Sequence, residues 1–166
     1  KTKEQVYTVA GAVTRSESRQ YNTLGQLTAV IDGLNQTVFT ATAADSYDAD
    51  GNLVHSTDGR GIQQHQAYDA LNRLAMTVAN YNGSDSATAN TTTAYAYDSL
   101  DRLAGVSDPS GLNTVYGYDG LGDATSLSSP DTGTTRRTFD AAGNTLTRTD
   151  AKGTTASYTY DADDRV

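Results

Sequence analysis

Asp48, Asp50 and Asn52 set three side-chain oxygens at alternate positions around Gly51, the opening of a calcium loop, because hard cations gather several carboxylate and carbonyl oxygens. No bidentate Glu follows, and the equivalent stretches from Asp98 to Asp101 and from Asp140 to Gly143 do not keep those ligands. Turn formation is therefore the expected role. His55 and His65, the only imidazoles, lie ten residues apart on opposite arms of one predicted hairpin. They could meet across it, but a metal or general-base role would need further partners in fixed geometry, so ordinary strand positions are expected. The many Ser, Thr and Asp residues compose triads on paper without a context that would position one. With no cysteine there is neither a thiolate ligand nor a disulfide framework. No catalytic residue, metal or cofactor is expected, and the chain is expected not to be an enzyme.

The acidic residues belong to a larger pattern. Seven copies of one heptapeptide begin at Tyr21, Tyr47, Tyr68, Tyr97, Tyr118, Phe139 and Tyr160, separated by 26, 21, 29, 21, 21 and 21 residues. A period of 21 with two longer intervals marks a repeat architecture with two loop insertions, one of them in the stretch Asn80 to Asn90. The second position is Asp48, Asp69, Asp98, Asp119, Asp140 and Asp161, with Asn22 in the first copy. Such a side chain can bond its own backbone ahead and hold a turn closed. The fifth position is Gly25, Gly51, Asn72, Asp101, Gly122, Gly143 and Asp164, the residue types that tolerate positive φ. The heptapeptide is predicted to be a hairpin turn.

A second turn is predicted half a period later, at Asp32, Asp58, Asp108 and Asp150, each 11 residues after a motif aromatic. Pro109 and Pro130 fall in the same zone, where they interrupt no strand ladder. Two turns per repeat leave two short strands. The rising strand alternates with period two, as in Thr114, Tyr116 and Tyr118, or Ala156, Tyr158 and Tyr160, so one face carries a tyrosine ladder. The falling strand is less regular. Leu27 and Val30, like Leu103 and Val106, stand three apart, which needs either a bulge or burial on both faces. Cross-strand aromatic pairs between neighbouring repeats are expected along the ladder, with sugar stacking on Tyr95, Tyr116 and Tyr158 as the alternative role for exposed rings.

Composition agrees with turns and strands. Of 20 acids 18 are Asp, the residue that favours turns, and only 36% of residues are hydrophobic. A net charge of −8 with three Lys disfavours nucleic acid and anionic membranes as partners. No apolar run is long enough for a membrane helix.

Tyr-Asp-x-x-Gly-Asn/Arg-Leu at 21-residue spacing, with Asp108-Pro-Ser-Gly111 between copies, resembles the YD repeats of the Rhs family over residues 20–166. Residues 1–20 are read as a partial or divergent repeat, and residues 21–166 as one continuous array whose last copy is truncated. The resemblance implies an all-β fold of antiparallel hairpins forming a ribbon or spiral sheet, of the type that builds hollow shells in bacterial Rhs toxins, toxin-complex components and teneurins. It also implies a structural segment of a secreted or cell-surface bacterial protein, whose partners are further repeats or further copies of itself, and an enclosed toxin domain. A surface glycan is the partner under an adhesion reading, and a self-assembling extracellular filament is a further alternative. Asp108 to Leu112 also fits half of the signature that precedes an autoproteolytic site in this family, but Leu103 stands where its leading proline belongs. An inter-repeat turn is expected there, and no self-cleavage.

Overall fold

The structure, a computed structural model, describes residues 2–7, 13–83 and 91–166, with side chains from Ser16 onward. The divergent N-terminal stretch and the predicted insertion beyond Gly83 fall partly outside the described residues. The chain divides into two compact units, Lys1–Thr92 and Thr93–Val166.

The first unit contains β1 (Thr2–Tyr7), β2 (Val13–Tyr21), β3 (Leu27–Asp32), β4 (Thr37–Thr40), β5 (His55–Asp58), β6 (Gln63–Tyr68) and β7 (Leu74–Ala79). The second is built from β8 (Thr91–Tyr97), β9 (Leu103–Ser107), β10 (Asn113–Tyr118), β11 (Ala124–Ser129), β12 (Gly133–Phe139), β13 (Thr145–Thr149) and β14 (Thr155–Ser157). Within each unit every strand pairs antiparallel with its neighbour in sequence, so each is a meander of hairpins, as the repeat predicts. The protein is all-β.

Each heptapeptide closes a three-residue hairpin loop. At Asp69, the peptide N–H bonds the Arg73 carbonyl at 2.9 Å, and its own carbonyl accepts from Asn72 at 3.0 Å. Asn72 then takes φ 60°, the left-handed residue that completes this loop type. The turns half a period later are built identically: Asp58 exchanges the same two bonds with Ile62 and Gly61, and Asp108 with Leu112 and Gly111. At these hairpins both ends are closed by one device, whereas the turn between β11 and β12 differs, with the Asp131 N–H directed to the Ser129 hydroxyl.

The falling strand carries a bulge immediately after the turn. Tyr21 pairs with Leu27 but Gln20 with Ala29, leaving Thr28 unpaired, and the same skip leaves out Ala75, Ala104, Thr125 and Leu146. One extra residue inverts the alternation beyond it. Leu27 and Val30 therefore face the same side, opposite Tyr21 and Arg19, and Leu103 and Val106 join Tyr97 and Tyr95. Of the two explanations open for the three-residue spacing, the bulge is the one realised.

Little of this surface is enclosed. Among the described apolar residues only Ala29, Ala41 and Val78 are buried, with Val78 at 1% exposure. The opposite face of the second unit is laid with hydroxyls that pair across strands: Ser128 with Thr134 at 2.9 Å, Thr138 with Thr147 at 2.7 Å, and Thr149 with Thr155 at 2.8 Å. Cross-strand pairs of this kind stabilise a sheet without a second layer. Backbone conformation then matters more than core volume. Gly25 sits at φ 79° with nothing within 4 Å of where a Cβ would stand, so Gly25→Ala is expected to cost about 1–2 kcal/mol through backbone strain alone. Gly25→Asn should cost less, as Asn72 already occupies the equivalent place. Urea unfolding of the three proteins checks the order.

Candidate functional site

The motif residues assemble into two ties, one within each turn and one between successive turns. Within the turn, one carboxylate oxygen of the second residue accepts two backbone N–H groups. Asp98 Oδ1 takes Leu100 N–H at 2.8 Å and Arg102 N–H at 3.0 Å, and Asp140 Oδ1 takes Ala142 and Asn144 at 2.9 Å each. Asp48, Asp69, Asp119 and Asp161 repeat the pattern, as does the Asn22 amide oxygen. The second oxygen takes the side chain of the sixth residue: Arg73 Nε reaches Asp69 and Arg102 Nε reaches Asp98, both at 2.7 Å, and Asn52 reaches Asp48 at 3.0 Å. Asp48 accepts three hydrogen bonds within its own turn, from Asp50 N–H, Asn52 N–H and the Asn52 amide.

Between turns, the aromatic hydroxyl at the first position donates to a carbonyl of the preceding turn. Tyr118 reaches Leu103 at 3.0 Å, Tyr68 reaches Leu53 at 3.1 Å, Tyr160 reaches Thr145 at 3.0 Å and Tyr47 reaches Leu27 at 2.6 Å. The acceptor is in every case the seventh residue of the previous motif. Its carbonyl lies within reach because the sheet pleat brings successive turns side by side. The sixth residue adds a second link forward. Arg102 donates to the Asp119 carbonyl at 3.0 Å and lies 4.5 Å over the Tyr118 ring, while Asn52 reaches Asn72 at 3.1 Å and Asn144 reaches Asp164 at 2.8 Å. At Tyr118 the neighbour is thus a guanidinium and a peptide group rather than the stacked tyrosine expected from the alternation.

Tyr95, Tyr116 and Tyr158 stand on the motif-tyrosine face, two residues before Tyr97, Tyr118 and Tyr160, and each is half-buried. Tyr116 lines a shallow recess of about 180 Å³ with Leu127, Thr135 and Arg137. His55 and His65 pair directly across β5 and β6, their rings stacked at 4.6 Å, and the Tyr81 ring packs against both at 5.4 and 4.9 Å. Sequence reasoning placed the histidines on facing arms but missed Tyr81, which belongs to no repeat position. His55 Nδ1 lies 3.1 Å from the Asp45 carbonyl and 3.5 Å from its carboxylate.

The chain belongs to the family described as RHS Repeat, which matches residues 47–82, 97–134 and 139–166. No curated protein sequence matches it. In fold it is similar to a crystal structure of TcdB2-TccC3, at a TM-score of 0.62 and 15% identity, and to TcdB2-TccC3 without its hypervariable C-terminal region, at 0.62 and 16%. Each alignment covers 96% of this chain but only 10% and 9% of the solved chain, so the protein spans about a tenth of their length.

One seam lacks both inter-turn ties. The sixth copy begins with Phe139, which has no hydroxyl to give the Ala124 carbonyl, and the preceding sixth position is Asp123, which has no side-chain donor. Phe139→Tyr is expected to stabilise the second unit by about 1 kcal/mol, and Tyr118→Phe to destabilise it by a similar amount, both read from urea midpoints.

The turns also set a pH window. Asp69 is held below the usual carboxylate range by the Arg73 guanidinium and then its N–H, and Asp140 by the Asn144 N–H despite some desolvation. Their stabilisation is complete above roughly pH 3.9 and disappears as pH falls through the lower folded values. Burial raises Tyr47 and Tyr68, the latter helped by Asp48, above the ordinary phenol value of roughly 10. Their contribution is complete below that value and is lost as pH rises through the folded ones. Melting temperature is expected to be flat between about pH 5 and 9 and to fall on both sides, with Asp69→Asn shrinking the acid limb. A scan of melting temperature against pH checks this.

Proposed function

We propose that this chain is a wall segment of a secreted or surface Rhs-type protein, whose shell encloses or presents a toxin or other polypeptide. The observation that carries the reading is the chemistry of the ties. The ties either close a turn or reach the neighbouring repeat, and almost none builds a deep core, so the segment is suited to continue a sheet rather than to enclose a reaction.

The seven copies act as one continuous array, with residues 1–20 as a divergent repeat, and further repeats of the same polypeptide extend it. The leucines at the fourth motif position support this. Leu24 and Leu121 are 81% and 76% exposed at the turn tips, and Leu71 and Leu100 are also exposed, although the turn uses only their backbone N–H groups. Apolar side chains repeated at that position are suited to contact with the rest of a larger particle. The TcdB2-TccC3 relative has a hypervariable C-terminal region, and an equivalent region of the parent polypeptide is the natural cargo. The segment itself performs no catalysis and takes no cofactor.

Electron microscopy of the full-length polypeptide that carries these repeats, combined with limited proteolysis, tests the proposal. The expected result is a hollow particle with these repeats in its wall, and an enclosed polypeptide that resists protease until the shell is opened. A compact particle without a lumen, or an enclosed region cut as fast as the free one, would overturn it.

A further inference from the structure

One cross-strand position of the second unit changes character in a single copy. Two residues before the motif aromatic, the rising strand pairs with the falling strand of the same hairpin. The fourth and fifth copies fill that pair with Tyr95 and Val106, then with Tyr116 and Leu127. In the sixth copy both members are arginine, and Arg137 stands directly opposite Arg148. Residues in direct register share a face, with their side chains starting about 5 Å apart, and like charges so placed destabilise a sheet. The pair lies on the motif-tyrosine face, where the neighbouring copies place a favourable contact.

No carboxylate answers these two charges. Arg19, Arg60, Arg73, Arg102 and Arg165 each pair with an Asp or Glu between 2.6 and 2.9 Å away. Among the described residues Arg137 and Arg148 have no such partner, in a chain with 20 acids and 12 basic residues. The acids at the two ends of this hairpin are committed to their turns. Asp140 accepts from Ala142 and Asn144 N–H, and Asp150 from Lys152 and Thr154 N–H.

The pair defines the ligand. Both arginines are exposed, so an anion reaches them from solvent. A guanidinium fork grips two oxygens of a carboxylate or phosphate group. One carboxylate neutralises only one of the two charges, whereas a doubly charged tetrahedral oxyanion neutralises both and offers oxygens to both forks. The recess of about 180 Å³ lined by Tyr116, Leu127 and Thr135 adjoins Arg137, which also lines it. Its size suits a small organic group carried by the anion, and Tyr116 and Leu127 give that group an apolar surface.

We infer that Arg137 and Arg148 form a binding site for a doubly charged oxyanion, phosphate or sulfate, free or carried as a monoester whose organic group lies in the recess beside Arg137. Binding converts a repulsive pair into a bridged one. The site lies within one hairpin of the second unit and goes beyond the wall-segment reading without resting on it, since a sheet built only for continuity is better served by an apolar pair at this position.

The arginine Cζ signals of isotope-labelled protein are followed by NMR during titration with inorganic phosphate, sulfate and phenyl phosphate, with acetate as the singly charged control. The titrations are run at constant ionic strength and about pH 8, above the second phosphate pKa. Arg137 and Arg148 are expected to shift together and saturably with at least one dianion, with a dissociation constant on the order of 1 mM. Arg136, which pairs with Thr149 on the opposite face, should not follow them. Tighter binding of phenyl phosphate than of inorganic phosphate assigns the site to an ester, and equal or weaker binding assigns it to the free anion. Arg148→Gln should abolish the Arg137 shift and, without ligand, raise the urea midpoint. Arg137→Tyr combined with Arg148→Leu, which copies the pair of Tyr116 and Leu127, should also raise it. No saturable shift with any dianion, acetate bound as tightly as phosphate, Arg136 shifting as much as the pair, an undiminished Arg137 shift in Arg148→Gln, or a lower urea midpoint in both variants would overturn the proposal.

Discussion

One carboxylate oxygen accepting two backbone N–H groups is the interaction on which the rest of this protein depends. In Asp98 those donors are Leu100 and Arg102, and between them they close the loop and fix its length at three residues. A loop of that length demands a left-handed residue at its end, supplied by Asp101 at φ 62°. The bulge at Ala104 then re-phases the falling strand, so that Leu103 and Val106 turn to the same side as Tyr97 and Tyr95. Only with that phase does the aromatic residue of the next repeat find a free carbonyl at the right height.

The consequence is a sheet whose cohesion is local. A globular domain of this length would bury many apolar side chains, whereas among the described residues only Ala29, Ala41 and Val78 are buried. Stability is instead distributed over hydroxyl-to-carbonyl ties, Asp–Arg and Asp–Asn pairs and hydroxyl pairs, each worth a fraction of a kcal/mol to about 1.5 kcal/mol. Such a structure tolerates variation one repeat at a time. The Phe139 and Asp123 seam illustrates this, since it loses both inter-turn ties while the strand pairing of β11 with β12 and of β12 with β13 continues. It also tolerates insertion, because a longer loop disturbs only its two neighbours.

Much of the fold was legible in the residues. The heptapeptide turns, the second turns at Asp32, Asp58, Asp108 and Asp150, and the positive φ of Gly25 and Asn72 all follow from side chains acting on backbone within five residues. The contact of Tyr81 with the paired imidazoles was not legible to the same degree. The two long intervals marked where something extra is built, but Tyr81 carries no repeat phase, and nothing in its spacing joins it to His55 and His65.

The sequence by itself determined the turns, the period and the family, because each of these rests on contacts whose partners are neighbours along the chain. Tertiary structure decided what lies across strands. It chose the bulge over two-sided burial, gave the hydroxyls of Tyr47, Tyr68, Tyr118 and Tyr160 a peptide carbonyl to bond, and set Tyr81 against the paired imidazoles of His55 and His65. The physical reason is register: a strand's side chains change face with every one-residue slip, and only the paired backbone fixes which residues meet.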